Sequence, residues 1–233
     1  MLKIKDDSVA GEAAVAAVAN AAPDKPFVVA QLGQSLDGRI ATPTGESRWI
    51  NAEAALDHVH RLRAAVDAVI VGVGTAVADD PMLNVRRVAG RNPARVVIDP
   101  SVRLQVNPRC FDGADGAARV LINACGTAGP DGVETIQIER ENGALPPAKI
   151  VAALFARGYK RLLIEGGATT VSAFIDAGMV NRLHVLVAPV ILGSGKTGLS
   201  LAPIERLADA YRPKTDVYVL ADGDVLFDCH LKS

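Results

Sequence analysis

An excess of charge of either sign is absent from this chain of 233 residues, which carries 25 Lys and Arg against 26 Asp and Glu. A protein that binds nucleic acid usually shows a basic patch, so we expect no nucleic-acid partner. Cysteine is also scarce, because Cys110, Cys125 and Cys229 are odd in number and form no C-x-x-C pair. This pattern argues against a disulfide framework or a cysteine cage, and it indicates reduced thiols and no metal site.

Long apolar runs are absent as well. No stretch approaches the roughly 20 residues of a membrane span, and Asp6, Asp7 and Glu12 interrupt the regions that a signal peptide needs. We therefore expect a soluble, cytoplasmic protein with no membrane partner. The alanine-rich residues 1–25 predict a flexible N-terminal arm or a short surface helix, and residues 26–233 are predicted to form a single domain.

Apolar runs alternate with helical patterns along the body of the chain. The alternation predicts an α/β fold with a mostly parallel central sheet flanked by helices, and the last two runs predict a C-terminal antiparallel β-hairpin. A polar loop is expected over residues 33–50, followed by a helix that Asn51 caps. Strands are predicted at residues 27–32, 68–72, 95–98, 119–122, 133–138, 161–164, 183–187, 190–192, 217–220 and 225–229, and helices at 52–65, 146–157 and 170–178.

A glycine pair lies between a predicted strand and a predicted helix, in the stretch Glu165-Gly166-Gly167. Such a turn leaves backbone N–H groups free at the start of the helix, and two residues without a Cβ let an anion approach them. Glu165 lies at the carboxyl end of its strand, where α/β sheets bind ligands. The stretch predicts a pyrophosphate site beside a carboxylate.

Three further segments carry polar residues in or beside predicted loops. The loop after the first strand ends on Ser47-Arg48-Trp49, and Trp49 is open to two interpretations, packing in the core or stacking on a ligand. Gly72-x-Gly74 follows the second strand but lacks the third glycine of a dinucleotide fingerprint. Asp79-Asp80-Pro81, with Arg86 a few residues on, is equally consistent with a helix end carrying solvated charges and with a binding site.

Two other patterns are predicted not to be sites. Residues 193–197 end like a phosphate-binding loop, but Val190 stands where that motif needs its first glycine, so we expect only a mobile loop near the pocket. His58 and His60 are two residues apart on a predicted helix and point to different faces, which predicts surface histidines and not a metal pair.

Together the segments resemble the reductase of riboflavin biosynthesis, over roughly residues 27–230. The motifs in family order are S-L-D-G-R-I-A, G-E-S-R-W-I, G-T-x-x-x-D-D-P-x-L-x-V-R, V-I-D, E-G-G and A-P-x-x-L-G. The resemblance implies a dihydrofolate-reductase-like fold, a homodimer, and NADPH-dependent reduction of 5-amino-6-(5-phosphoribosylamino)uracil to the ribitylamino product. The zinc motifs H-x-E and P-C-x-x-C of the bacterial deaminase half do not occur in this sequence, so we expect a reductase alone.

The resemblance also implies which residues form the site. Glu165 and Asp79 are the catalytic candidates, and Arg103 is the candidate for the 2′-phosphate of NADPH. Two departures from the family pattern are Gln31, where many bacterial members have lysine, and Pro100, where serine often follows V-I-D. The implied cofactor residues are Gln34, Trp49, Thr75, Asp79, Gly166, Gly167, Ala168, Thr169, Thr170, Val171 and Ser172, and the implied substrate residues are Ser47, Arg63, Leu83, Arg86 and Glu165.

Three alternatives remain open from the sequence. The first keeps the enzyme class and changes the substrate to the still-aminated pyrimidinone, 2,5-diamino-6-ribosylamino-pyrimidinone 5′-phosphate. The second is a reductase of the same fold that acts on a pterin, a folate or a specialised metabolite. The third is a non-catalytic protein that binds NADPH as a sensor, which the retained Glu165, Asp79, Arg63 and Arg86 argue against.

Overall fold

A computed structural model of the chain describes residues 2–5, 11–104 and 108–232. Its centre is a ten-stranded sheet in the order β1-β11-β12-β9-β2-β8-β4-β5-β6-β7, and β3 pairs with β10 in a separate two-stranded ribbon. The strands are β1 Leu2–Lys5, β2 Phe27–Ser35, β3 Arg39–Ala41, β4 Ala68–Gly72, β5 Ala94–Ile98, β6 Arg119–Asn123, β7 Glu134–Gln137, β8 Arg161–Glu165, β9 Arg182–Ala188, β10 Lys196–Thr197, β11 Lys214–Val219 and β12 Val225–His230. The helices are α1 Glu12–Ala19, α2 Glu53–Ala65, α3 Val73–Asp79, α4 Pro147–Phe155 and α5 Ala168–Asp176.

The mostly parallel sheet and its flanking helices confirm the predicted fold class. From β7 to β9 every strand of the large sheet runs parallel to its neighbour, and β12 then pairs antiparallel with both β9 and β11. The central strands are apolar runs because both of their faces are covered, as in other parallel sheets. Val28 and Ile164 pack with α4 and α5 on one face, whereas Val29 and Leu163 pack with residues of α1, α2 and α3 on the other.

Several segments differ from their predicted extents. β2 continues to Ser35, and β3 follows within the expected loop because the two strands are joined by a tight turn at Gly38, which has a φ of 77°. β9 ends at Ala188, and residues 190–192 are not a strand. Proline removes a donor from the ladder, so Pro189 is where the pairing stops. Lys196 and Thr197 pair with β3 in the two-stranded ribbon. The loop at residues 193–197, which was expected to be mobile, is therefore held by strand pairing at its end.

The N-terminal region contains a packed helix where a loose arm was one expectation. Ala14 and Val18 of α1 are wholly buried, and α1 packs against α2. Residues 6–10 of the expected arm lie outside the described residues, and the domain boundary at residues 25 and 26 stays a prediction. Among the described helices, none is both long and apolar enough to cross a membrane.

The prediction that His58 and His60 are surface histidines is wrong. His58 is fully buried between α1 and β9, where its Nε2 lies 3.0 Å from Nδ1 of His184. His60 is 3% exposed, and its Nδ1 accepts a hydrogen bond of 3.2 Å from the backbone N–H of Arg86. The two rings do point to different sides of α2, as expected, but both sides are covered by other parts of the chain.

The start of α2 is capped by the C-terminal hairpin and not by Asn51. The backbone N–H of Ala52 donates to Oδ2 of Asp224 at 3.0 Å, and that of Ala54 donates to Oδ2 of Asp222 at 2.7 Å. Both carboxylates lie in the turn between β11 and β12, about 170 positions away in sequence. A carboxylate at a helix N-terminus satisfies free N–H groups and interacts favourably with the helix dipole.

Candidate active site

A cavity of about 310 Å³ opens at the carboxyl ends of β2, β4 and β8, where parallel sheets bind ligands. Its polar surface includes Gln31, Ser47, Asn51, Asp79 and Glu165. A second cavity of about 430 Å³ adjoins it and is lined by the loop before α2, by α2 itself, by the end of α3 with the residues after it, and by Arg109. The residues that line both cavities are Ser47, Asn51, Leu56, Arg63, Asp79, Pro81 and Leu83.

Glu165 and Arg63 form a buried, bidentate ion pair at the base of the cavity. Nε of Arg63 donates to Oε1 of Glu165 at 2.7 Å, and Nη2 donates to Oε2 at 2.6 Å. The third nitrogen, Nη1, donates to the backbone carbonyl of Asn84 at 3.1 Å. Burial acts to lower the pKa of Arg63, but the Glu165 carboxylate outweighs it and raises that pKa. Every nitrogen of the Arg63 guanidinium thus has a protein acceptor.

Cationic side chains gather around the outer cavity. Arg48, Arg86 and Arg109 line it together with Arg63. Burial lowers the pKa of Arg86, and the charges of Arg63, Arg109 and Arg87 lower it further. Mutual repulsion of this kind is relieved by a bound anion, and guanidinium groups match the geometry of phosphate. The outer cavity is therefore suited to a phosphate group.

The glycine turn after β8 packs directly against α3. Gly166 and Gly167 have φ angles of 68° and 41°, which favour glycine. A Cβ on Gly166 would lie 2.8 Å from Cγ2 of Thr75, and one on Gly167 would lie 2.8 Å from its Oγ1. On the other side of the turn, a Cβ on Gly72 would lie 2.3 Å from Oγ1 of Thr170. The glycines bring the starts of α3 and α5 together at the rim of the cavity.

Three residues other than glycine have positive φ angles beside the outer cavity: Trp49 at 72°, Asp80 at 39° and Leu83 at 54°. Such backbone conformations are uncommon and concentrate at functional sites. Trp49 is 79% exposed, so the interpretation that it packs in the core is wrong. Oδ1 of Asp80 accepts a hydrogen bond from the backbone N–H of Arg109 at 2.8 Å, which brings Arg109 to the cavity wall.

The structure brings together many of the expected site residues and leaves others apart. Gln34 packs against Gly198 on the opposite face of β2 from Gln31. Val171 is in the core, and Oγ of Ser172 accepts a hydrogen bond from Ser200, so neither side chain faces the cavity. Arg103 is exposed in the loop after β5 and is absent from the linings of both described cavities, as are Ala168, Thr169 and Thr170. Those that line the cavities are Ser47, Trp49, Arg63, Thr75, Asp79, Leu83, Arg86, Glu165 and Gly166.

Asn51 and Arg109 are among the cavity residues that were not identified as site residues from the sequence. Asn51 was interpreted as a helix cap, although its position directly after the G-E-S-R-W-I motif is a signal that it lies near the site. Arg109 gave no local signal in the sequence, because it follows a proline and belongs to no recognisable motif. In the structure it begins a short 3₁₀ helix, and its backbone N–H donates to Asp80 beside the cavity.

Comparison with known proteins assigns the family. The RibD C-terminal domain matches residues 26–217. The 2,5-diamino-6-ribosylamino-4(3H)-pyrimidinone 5′-phosphate reductase of Methanothermobacter thermautotrophicus is 34% identical over 81% of this chain and 90% of its own length. The riboflavin biosynthesis protein RibD of Escherichia coli is also 34% identical, but the match covers 79% of this chain and 54% of that protein.

Solved structures agree with the sequence relatives. A diaminohydroxyphosphoribosylaminopyrimidine deaminase/5-amino-6-(5-phosphoribosylamino)uracil reductase from Thermotoga maritima superposes with a TM-score of 0.75 at 27% identity, covering 88% of this chain and 56% of that one. The riboflavin biosynthesis reductase Rib7 of Saccharomyces cerevisiae, at 21% identity, shares the fold with a TM-score of 0.72 over 88% of this chain and 90% of its own. This chain belongs to the RibD C-terminal domain family.

Proposed function

We propose that the protein reduces a phosphoribosylamino-pyrimidine of riboflavin biosynthesis with NADPH, which makes it an oxidoreductase. The observation that carries the proposal is the continuous pair of cavities at the carboxyl edge of the sheet. One end meets the glycine turn before α5, and the other meets a cluster of arginines. This arrangement suits a cofactor at the turn and a sugar phosphate at the arginines, with the reacting atoms between them.

The substrate phosphate binds at the outer cavity in this proposal. Arg86 and Arg109 line that cavity, and so does Arg48, which precedes Trp49 in sequence. Arg63, which the resemblance implied as a substrate residue, has its donors directed to Glu165 and Asn84. Its part is therefore to hold Glu165 in place beside the substrate, while the exposed arginines contact the phosphate.

The residues at the glycine turn fit a dinucleotide. Side chains at positions 166 and 167 would fill the space against Thr75, so glycine keeps the approach to the backbone open. The pyrophosphate binds at the start of α5, whose free N–H groups favour anions. When bound, the nicotinamide supplies a hydride to C1′ of the ring-opened imine of the substrate. Holding the two reactants in line can lower the barrier by about 7–11 kcal/mol.

Two carboxylates face the reacting region with different surroundings. Both oxygens of Glu165 accept hydrogen bonds from Arg63, so Glu165 serves to orient the sugar and to stabilise positive charge. Asp79 is the last residue of α3, is exposed to solvent, and lines both cavities. We assign proton transfer at the imine nitrogen to Asp79, because its position leaves it open to substrate and solvent.

The substrate choice rests between two pyrimidines. The deaminated uracil is the first candidate, because the G-E-S-R-W-I motif resembles the bacterial enzymes. The still-aminated pyrimidinone is the second, because the archaeal relative named for it is matched over 90% of its length. The proposal also includes that the protein is a homodimer, lies in the cytoplasm, and has no nucleic-acid or membrane partner.

Oxidation of NADPH by the purified protein, followed by absorbance with each pyrimidine in parallel, tests the function. Turnover with either supports it, and the faster substrate identifies the place of the enzyme in the pathway. Asp79→Asn should reduce turnover at least tenfold while NADPH still binds, whereas Asp131→Asn, in an exposed loop far along the chain, should not. Binding of NADPH with no oxidation of it in the presence of either pyrimidine would contradict the proposal and favour a sensor or a pterin reductase.

A further inference from the structure

Asn51 lies where the two cavities join, and its side-chain amide is held on one side. Nδ2 donates to Oδ2 of Asp224 at 3.0 Å and to the backbone carbonyl of Leu186 at 3.3 Å. An amide NH₂ has two hydrogens, so these acceptors use both. A flipped amide would place its oxygen against a carboxylate and a carbonyl, which is unfavourable. The contacts therefore fix the orientation of the amide.

The oxygen of the same amide lies against Gly33 at the wall of the inner cavity. A Cβ built on Gly33 would lie 2.0 Å from Oδ1 of Asn51, so the absence of a side chain at position 33 makes room for this oxygen. Gly33 and Asn51 both line the inner cavity. With its donors occupied, Asn51 can offer a ligand only an acceptor.

The carboxylate that orients Asn51 is itself fixed. Asp224 is 1% exposed, and its Oδ2 accepts hydrogen bonds from both Nδ2 of Asn51 and the backbone N–H of Ala52. Asp224 belongs to the turn of the C-terminal hairpin, far from the other site elements in sequence. Asp222 in the same turn caps α2 through Ala54, and among the described residues it forms no hydrogen bond with Asn51. Both aspartates thus cap the start of α2, and Asp224 also holds the amide of Asn51.

We propose that Asn51 recognises the base of the substrate, by accepting a hydrogen bond at Oδ1 from an N–H group of the pyrimidine, and that Asp224 is the positioning residue that orients it. The inference rests on the proposed function, since it takes the ligand of the inner cavity to be an amino-pyrimidine. Ala55, Val59 and Leu186 line the same cavity with apolar surface, which suits a flat ring whose edge carries polar groups.

The test compares Asn51→Ala, Asp224→Ala and Asp222→Ala. Each is assayed for kcat and KM with the pyrimidine that the wild type reduces, for the equilibrium binding of NADPH, and for stability in urea. Asn51→Ala should raise KM for the pyrimidine about tenfold, as expected for loss of one hydrogen bond, with NADPH binding unchanged. Asp224→Ala should raise KM in the same direction, because it releases the amide.

Asp222→Ala is the matched control for the loss of a helix cap. It should lower stability less than Asp224→Ala does, because Asp222 is exposed and Asp224 is buried, and it should leave KM unchanged, since Asp222 does not hold Asn51. A wild-type KM in both Asn51→Ala and Asp224→Ala would overturn the assignment, and so would an equal rise of KM in Asp222→Ala. If Asn51→Ala fails to fold, the comparison of KM between Asp224→Ala and Asp222→Ala still tests the assignment. A wild-type protein that reduces neither pyrimidine would instead overturn the proposed function.

Discussion

At the scale of single residues, the pairing of Arg63 with Glu165 changes the roles that each can have. Both side chains are buried, with side-chain exposures of 10% and 8%, and the pair lies beneath the cavity where the substrate is proposed to bind. A buried charge is costly unless a partner and further hydrogen bonds compensate it. The pair is therefore a unit, and removal of either member affects stability as well as chemistry.

Replacing Glu165 by glutamine should destabilise the protein as well as reduce turnover. The change leaves the buried Arg63 charge uncompensated, and breaking such pairs typically costs about 3–5 kcal/mol in the free energy of unfolding. Urea denaturation measures this loss. Asp209→Asn is the matched control, because Asp209 pairs with Arg206 on the surface and exposed pairs contribute about 0–1 kcal/mol. Equal stability of the two variants would contradict the prediction.

At the scale of elements, the junction of β4, α3, β8 and α5 depends on close packing at three glycines. Gly72 has an ordinary φ of −78°, so what excludes a side chain there is the contact with Thr170 alone. Gly166 and Gly167 combine a close contact with positive φ. Thr170 of α5 thus fills the space above Gly72 of β4.

Gly72→Ala should therefore be destabilising, and Thr170→Ala should restore the loss. The new methyl group would approach Oγ1 of Thr170 to 2.3 Å, and overpacking of this kind costs about 1–3 kcal/mol. The double variant removes the atom in conflict, so its free energy of unfolding should exceed that of Gly72→Ala. A double-mutant cycle in urea measures the coupling. Additive losses from the two changes would show that Thr170 is not what limits space at position 72.

Elements with a local signal could be predicted from the sequence, whereas contacts with distant partners could not. β4 and the strand before Gly166 were predicted within a residue, because an apolar run between punctuating residues is a local signal. The cap of α2 and the burial of His58 were missed, because each depends on a partner more than 100 positions away, Asp224 or His184. Glu165 and the glycine turn were predicted from a local pattern, whereas most other site residues were reached through the family resemblance, and the roles of all of them remain proposals.

At the scale of the whole molecule, one sheet brings distant segments to one edge. Gly33 of β2, Glu165 of β8 and Asp224 beside β12 come from the start, the middle and the end of the chain, and each contributes to the inner cavity or orients a residue that does. The pairing of β2 with both β8 and β9 makes this possible. No local pattern carries such pairing, which is why the sequence predicted strands but not their neighbours.

The buried histidines should make the stability of the whole protein depend on pH. Burial lowers the pKa of His60 to about 4, with the charges of Arg63, Arg86 and Arg87 adding to the effect. Burial, together with His184 and Arg61, lowers the pKa of His58 well below its usual range. Between about pH 6.5 and 4 the unfolded chain therefore binds protons that the folded protein does not. The free energy of unfolding must then fall as the pH is lowered through this window.

Urea denaturation at several values between pH 7.5 and pH 5 measures this slope. Each histidine that stays neutral on folding contributes about 1.4 kcal/mol per pH unit once the pH is well below 6.5. In His60→Asn, Oδ1 can replace Nδ1 as the acceptor for the Arg86 N–H, and the new side chain does not titrate. The variant should therefore keep most of its stability at pH 7.5 and lose it less steeply on acidification. Identical slopes in the two proteins would show that His60 is protonated as readily in the folded state as in the unfolded chain.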